Sequence, residues 1–389
     1  MKKKIIFVLN QMGAGGIAKS LSNLLFHLEK YKDGYEVDLF LLRKDGCYLQ
    51  DIPSYVNVME AKGILKLFGA SQSDTKKFGK MQYFARFFVA CWTKLFGHKI
   101  PLKIGAKQNK LKKEYDVAIS FTHSHSDMAA GSPEFVLDGV KSKKKFCVIH
   151  CDVIKEKTLF KSNIKKLSKF DKLFCVSNSC SNQIKESCEE LKLITDYLYN
   201  TQRNDIILEQ AKSDQNLYNK TFNLVTVSRL SAEKAHLRLL PVLKKLHDEG
   251  FEFNLNIVGD GILRDEIQSY IETNKMNDYI KMYGQQSNPF PYMKQADLFM
   301  LVSYYEAAPM VYNEAQLLKV PVFTTNVISA EEMVGNLGFV CENTEEGIYN
   351  GLKEILENKK LIEEKKNKLK DYTYDNDAIV KKLLNEINN

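Results

Sequence analysis

Residues 297–315 read DLFMLVSYYEAAPMVYNEA. The apolar run at the start is short and carries no helical spacing, so it reads as a strand buried on both faces. Ser303 closes it. Glu306 and Glu314 follow, eight positions apart, with Pro309 between them. Proline has a fixed φ suited to opening a helix. Glu306 is therefore expected in a loop at a strand's carboxyl end, and Glu314 in the first turns of the next helix. Buried strand, loop and helix in that order are the repeating unit of a parallel α/β sheet.

The same unit recurs in both directions. Strands are expected near 4–9, 36–42, 115–120, 145–150 and 171–176, with helices near 16–31, 79–96, 154–168 and 178–189. Around the opening stretch, strands are expected near 222–227, 253–258, 279–283, 297–302, 320–324 and 337–340. Helical spacing falls near 234–248, 262–274, 289–295, 310–318, 345–358 and 360–370. Two such series predict an α/β fold of two doubly wound, Rossmann-like domains facing across a cleft, with ligands at the carboxyl ends of the strands. The polar stretch 200–221 reads as the linker. The domains are placed at 1–203 and 204–373, with a C-terminal helix in 374–389 packing back on the first.

Composition narrows the class. At 44% hydrophobic and 27% charged the chain is ordinary globular protein, and no run approaches the roughly 20 apolar residues of a membrane span. MKKKIIFVLN has too short an apolar core for a signal peptide, so a cytoplasmic protein is expected. The eight scattered cysteines fit that compartment. Cys147, His150 and Cys151 lie close together, but CVIHC lacks the paired spacing of a zinc site. Residues 61–113 hold thirteen Lys or Arg and one acid, interleaved with Phe84, Phe87, Phe88, Trp92 and Leu95. An anionic membrane is the expected partner of this basic, aromatic segment, and a merely solvated face is the plain alternative. No nucleic-acid module is present, so no nucleic acid is expected.

QMGAGGIAKS, 11–20, follows the first strand and fits three templates. As GxGxxA it is a dinucleotide fingerprint, but the next strand runs into Arg43 and Lys44, with Asp38 inside it. As a P-loop it has Ala18 where a glycine belongs. As a generic anion site, Gly15 and Gly16 bare backbone amides at a helix start. A tight strand-to-helix turn accounts for any single glycine here.

Three further segments carry chemistry. VTVSRLSAEKAH (225–236) puts Arg229 and Lys234 just after a strand. NIVGDGILRDEI (256–267) is strand, glycine turn and helix, and KMYGQQSNPFPYMKQADLFMLVS (281–303) leads into the opening stretch. Together they resemble the nucleotide-sugar domain of retaining glycosyltransferases of the two-Rossmann-domain (GT-B) architecture, family 4 in the usual classification. Fainter echoes are GGIAKS, VIHCD, FCVSNS and YN in the first half, and a final helix after YTYDND.

The resemblance implies that Arg229 and Lys234 hold the donor's diphosphate, Glu306 faces its sugar and Glu314 binds its ribose hydroxyls. Gly15, Gly16, Gly259, Gly284, Ala307, Ala308, Pro309 and Met310 would line the donor. His150, at the end of KKFCVIH, would reach the reacting region, with His123 and His125 as further candidates. Physical chemistry supports these roles: the leaving diphosphate is an anion, and fixed cations stabilise charge where it develops. Arg grips phosphate with a planar fork, Lys is a compact point charge, and ionised Glu accepts from vicinal hydroxyls. Singly, Arg229 and Lys234 would be a solvated strand end, and Glu314 a helix-surface charge. A hydrolase pair is disfavoured: were the stretch helical throughout, the two carboxylates would lie about 12 Å apart, beyond hydrolase spacings.

The implied activity is metal-independent, retaining transfer of a sugar from a nucleotide-sugar donor, a UDP-sugar, to a lipid-linked or glycan acceptor in cell-surface polysaccharide biosynthesis. The resemblance implies no cofactor and no metal. The only DxD, Asp375-Asn376-Asp377, follows no strand. The family commonly has Gly after the first glutamate, where this chain has Ala307. That departure keeps a second reading open, a non-catalytic subunit that binds nucleotide sugar and stabilises a partner transferase.

Overall fold

The computed structural model describes residues 2–69, 74–123, 131–213, 215–218 and 221–389. They form two compact units, one running up to Thr201 and resuming at Asp375–Asn389, the other Gln202–Tyr374.

The first unit holds β1 (Lys3–Leu9), β2 (Tyr35–Leu41), β3 (Asn57–Glu60), β4 (Glu114–Ser120), β5 (Lys141–Ile149), β6 (Lys172–Cys175) and β7 (Thr195–Tyr197). Their order is β3-β2-β1-β4-β5-β6-β7, and every pair is parallel. The second unit holds β8 (Phe222–Val227), β9 (Phe253–Val258), β10 (Ile280–Gly284), β11 (Leu298–Leu301), β12 (Val322–Thr325) and β13 (Phe339–Cys341). These run β10-β9-β8-β11-β12-β13, again all parallel. In each sheet the winding reverses beside the first strand, between β1 and β4 and between β8 and β11. Ligands of doubly wound sheets bind at such switch points, beyond the carboxyl ends of the strands.

Burial on both faces explains the apolar runs. Successive strand residues point to opposite faces. Leu224, Leu298 and Met300 accordingly pack with Leu239, Leu243 and Leu246 of helix His236–Asp248. Val225, Phe299 and Leu301 pack on the other side with Tyr312, Ala315 and Leu317 of helix Met310–Leu317.

Several elements differ from expectation. β3 (NVME) and β7 (TDY) are polar, largely half-buried edge strands without an apolar run. Helix is confined to Lys161–Leu167 within 154–168. Upstream, the Asp152 carboxylate accepts N–H bonds from Ile154 and Lys155, and Lys157 adopts φ 53°, which holds the chain in turns. Part of the expected linker is helix Asn204–Gln210, whose Ile207 enters the second unit's core.

The final helix, Asn376–Asn388, buries Ile379, Val380, Leu383, Leu384 and Ile387 in the first unit. Ion pairs Lys30–Asp377 (2.6 Å) and Lys382–Asp196 (3.1 Å) fix it there. Asp375 caps it by accepting from the Ala378 N–H. Both carboxylates of the DxD are thus engaged in holding this helix. No described helix is long and apolar enough to cross a membrane.

Candidate functional site

Two loops flank the β8/β11 switch point. The first leaves β8 at Ser228 and passes Arg229 and Lys234 before helix His236–Asp248. Its path is fixed by backbone bonds to the β9 loop: Ser228 N–H to Val258 O, Leu230 N–H to Asp260 O, and Leu263 N–H to Leu230 O. Approach this close requires glycine. Gly259 has φ +141°, and a Cβ there would lie 1.9 Å from the Ser228 carbonyl oxygen. Its N–H donates to the Gly284 carbonyl, and Gly284 itself has φ +69°. The structure thus gives Gly259 and Gly284 the local task of seating the Arg229 loop.

The second loop leaves β11 and carries Glu306. Its Oε1 accepts from Ser303 Oγ at 2.6 Å and forms an ion pair with Lys234 Nζ. Lys234 and Glu306 expose only 16% and 12% of their side chains, so Lys234 is no solvated strand end. The Tyr304 N–H donates to the Glu233 carbonyl at 2.9 Å, joining the two loops a second time. Arg229 differs: its side chain is 74% exposed, with one long contact of 3.4 Å to Glu233. Burial works to raise the Glu233 carboxyl. The Ser231 hydroxyl at 2.6 Å, with the charges of Arg229 and Lys234, brings it below its ordinary value.

Glu314 lies in helix Met310–Leu317 and is 1% exposed, which overturns the surface-charge alternative. Pro309 stands in extended conformation immediately before that helix, and Ala307 and Met310 are buried beside it. The described non-glycine residues with positive φ are Lys157, Ala235, Lys275 and Lys319. Ala307 is not among them, so its Cβ sits on backbone that any residue adopts.

Two features here escaped the sequence reading. Ala235 takes φ 56° and ψ 32° to turn the chain from Lys234 into the helix. His236, the first helical residue, is 3% exposed, and its Nε2 lies 3.2 Å from Ser228 Oγ. Burial, reinforced by the nearby Lys234 charge, pushes its imidazole down to about 4. The histidine two positions beyond the AEK turn was the available signal.

In the first unit, Gly15 precedes helix Gly16–Leu28 in extended conformation, with no side-chain cap. A Cβ on Gly15 or Gly16 would meet nothing within 4 Å, so packing does not require glycine at either position. Gly46 does the bracing instead. It has φ +120°, and a Cβ there would lie 2.1 Å from the Met12 carbonyl. Met12 is bound in turn by Asp45 and Tyr48 backbone groups.

His150 follows β5, with its ring 5.2 Å from that of Phe121. Its backbone N–H donates to Nδ1 of His123, 3.4 Å away, and Nε2 of His123 lies 3.0 Å from Cys151 Sγ. Burial pushes up the Cys147 thiol, to about 12, and raises Cys151 further, so both behave as inert neutral thiols. His125 lies outside the described residues.

Residues 209–376 match the family model for glycosyl transferases group 1. A Campylobacter jejuni N-acetylgalactosamine-N,N'-diacetylbacillosaminyl-diphospho-undecaprenol 4-alpha-N-acetylgalactosaminyltransferase is 30% identical over 177 residues, 44% of this chain and 47% of that protein. The capsular polysaccharide biosynthesis glycosyltransferase CapM of Staphylococcus aureus is 25% identical over 231 residues, 58% of this chain and 56% of its own. The chain therefore spans about half the length of these relatives. Among solved structures, Anabaena HepE in complex with UDP and glucose superposes with a TM-score of 0.69 at 17% identity, covering 99% of each chain. A point mutant of S. aureus TarM, solved with UDP, superposes with a TM-score of 0.71 at 13% identity over 100% of both. Residues 209–376 thus resemble glycosyl transferases group 1, and the chain has the two-Rossmann-domain GT-B fold of these solved structures.

Proposed function

We propose that this protein is a retaining, metal-independent glycosyltransferase of cell-surface polysaccharide biosynthesis, moving a sugar from a UDP-sugar to a lipid-linked or glycan acceptor. One observation carries the reading. Beside the β8/β11 switch point, the loop after β8 carries Lys234 and the exposed Arg229, Lys234 pairs with Glu306 of the loop after β11, and buried Glu314 follows on the next helix. Relatives named for capsule and O-antigen synthesis, and neighbours solved with UDP, support it.

The chemistry follows from the groups present. Arg229 offers a planar fork to phosphate oxygens, and Lys234 trades Glu306 for the diphosphate, leaving Glu306 to accept from sugar hydroxyls. Glu314 accepts from the ribose. The acceptor oxygen bonds to the anomeric carbon as the bond to the phosphate oxygen breaks, and that oxygen takes the acceptor's proton. Electrostatic stabilisation by Arg229 and Lys234 replaces a metal, in keeping with a DxD engaged in holding the final helix. His150 is assigned to the same reaction, with Gly15 and Gly16 offering amides to an anion. Peripheral contact with an anionic membrane through segment 61–113 belongs to the proposal. The non-catalytic reading loses its motive, because Ala307 carries no positive φ.

The test is nucleoside diphosphate release from a panel of nucleotide sugars, with extracted lipid acceptor, with and without chelator. Release from a UDP-sugar that survives chelation is expected. UDP binding without release under any acceptor would return the non-catalytic subunit, and metal-reversible loss would end the metal-independent assignment.

A further inference from the structure

Helix Lys80–Phe96 buries no residue along its 17 positions. Its polar side turns inward. Gln82 accepts from the Arg43 guanidinium at 2.9 Å, and the Arg86 guanidinium lies 5.7 Å from the centre of the Phe68 ring. Arg43 is itself buried, stacked 4.0 Å over Phe78. The apolar side turns outward: Met81, Phe84, Phe88, Trp92, Leu95 and Phe96 recur at helical spacing and are 46% to 83% exposed. The stripe is about 25 Å long. A surface helix of a water-soluble protein presents the opposite polarity.

The next helix, Lys99–Gln108, continues the surface. Leu102, Gly105 and Ala106 are buried, with Gly105 packed closely on Leu65, while Ile100 and Ile104 face outward. Nine of the fourteen exposed large apolar side chains among the described residues fall between positions 81 and 104. Such concentration marks an interaction surface. Charge selects the occupant. Lys80, Lys94, Lys99, Lys103 and Lys107 are exposed around the stripe, and no acid occurs from 75 to 113. A second copy of this face would repel the first, whereas an anionic bilayer attracts the lysines and dissolves the aromatics.

We propose that helices Lys80–Phe96 and Lys99–Gln108 form an interfacial platform that inserts the aromatic stripe below the head groups of an anionic bilayer. This rests on the membrane contact in the proposed function and is independent of the reaction. It assigns the lipid contact to the outward aromatic stripe, with Arg86 turned towards Phe68.

Trp92 is the single tryptophan of the chain, so its fluorescence reports the stripe directly. The full chain is mixed with phosphatidylcholine vesicles, with or without phosphatidylglycerol. Flotation with the anionic vesicles is expected, with a blue shift of Trp92 and quenching by lipids brominated in the acyl chain. Phe88→Glu combined with Leu95→Glu should lower vesicle binding about tenfold or more while UDP binding stays unchanged. The platform is overturned if wild-type protein ignores anionic vesicles, or binds them with Trp92 unshifted and unquenched. A double variant that abolishes an oligomer but leaves vesicle binding intact also overturns it. Failure of wild-type protein to bind UDP would count against the donor site and leave the platform standing.

Discussion

Lys234 Nζ is held by Glu306 Oε1, and this ion pair ties the loop after β8 to the loop after β11 across the switch point of the second sheet. The two residues lie 72 positions apart in sequence. Each charge neutralises the other.

Removing one partner should therefore not mirror removing the other. Glu306→Gln releases Lys234 for phosphate, so UDP affinity should hold or rise while turnover falls. Lys234→Ala should lower both, with turnover down about a hundredfold, the usual effect of losing one preorganised charge stabiliser. Calorimetric UDP binding beside steady-state turnover reads the difference. Equal loss of UDP affinity in both variants would show that the ion pair is only a structural clasp.

Arg229 and Glu314 should separate in the opposite sense. Arg229 is exposed, so Arg229→Ala should leave thermal stability within the usual range of surface changes, about 0.5 kcal/mol, while cutting turnover strongly. Glu314→Ala removes the buried carboxylate proposed to accept from ribose hydroxyls and should weaken nucleotide binding by about tenfold to a hundredfold. Normal turnover in Arg229→Ala would withdraw the diphosphate assignment.

Acid should loosen the second unit through His236. Its folded pKa of about 4 lies below the ordinary 6.5, so the neutral form favours the fold. Stability is complete above pH 6.5 and declines as the pH falls towards 4, by on the order of 3 kcal/mol for this group. Denaturant titrations across that window should show a shallower decline in His236→Gln than in wild type. Parallel curves would mean that other groups dominate.

The glycines should divide into two classes. Gly259→Ala forces a Cβ onto the Ser228 carbonyl at positive φ and should cost about 2 kcal/mol or more, read from the denaturation midpoint. Gly15→Ala meets open space on extended backbone and should be nearly neutral for stability. A stability loss in Gly15→Ala as large as that in Gly259→Ala would contradict this division.

The parallel sheets were legible because strands covered on both faces must be apolar throughout, as in Ile5–Leu9 and Leu298–Leu301. Edge strands β3 and β7 escaped because one side of an edge needs no such covering. Arg229, Lys234, Glu306 and Glu314 were singled out through the resemblance of their motifs to a known family, which did not foresee the pairing of Lys234 with Glu306. Only the strand order brings β8 beside β11. The helical wheel of Lys80–Phe96 likewise gives two faces without saying which one the protein covers. That depended on Arg43 and Phe68, which sequence alone does not place beside it.

The return of helix Asn376–Asn388 to the first unit has a consequence for biosynthesis. Ribosomal synthesis normally lets N-terminal domains mature first. Here Gln202–Tyr374 is contiguous, whereas the first unit acquires Ile379, Val380, Leu383, Leu384 and Ile387 only after that whole segment has been translated. The later-made unit can therefore reach its native state before the earlier one. A nascent chain arrested before Asp375 would carry a finished second unit beside a first unit still lacking part of its core.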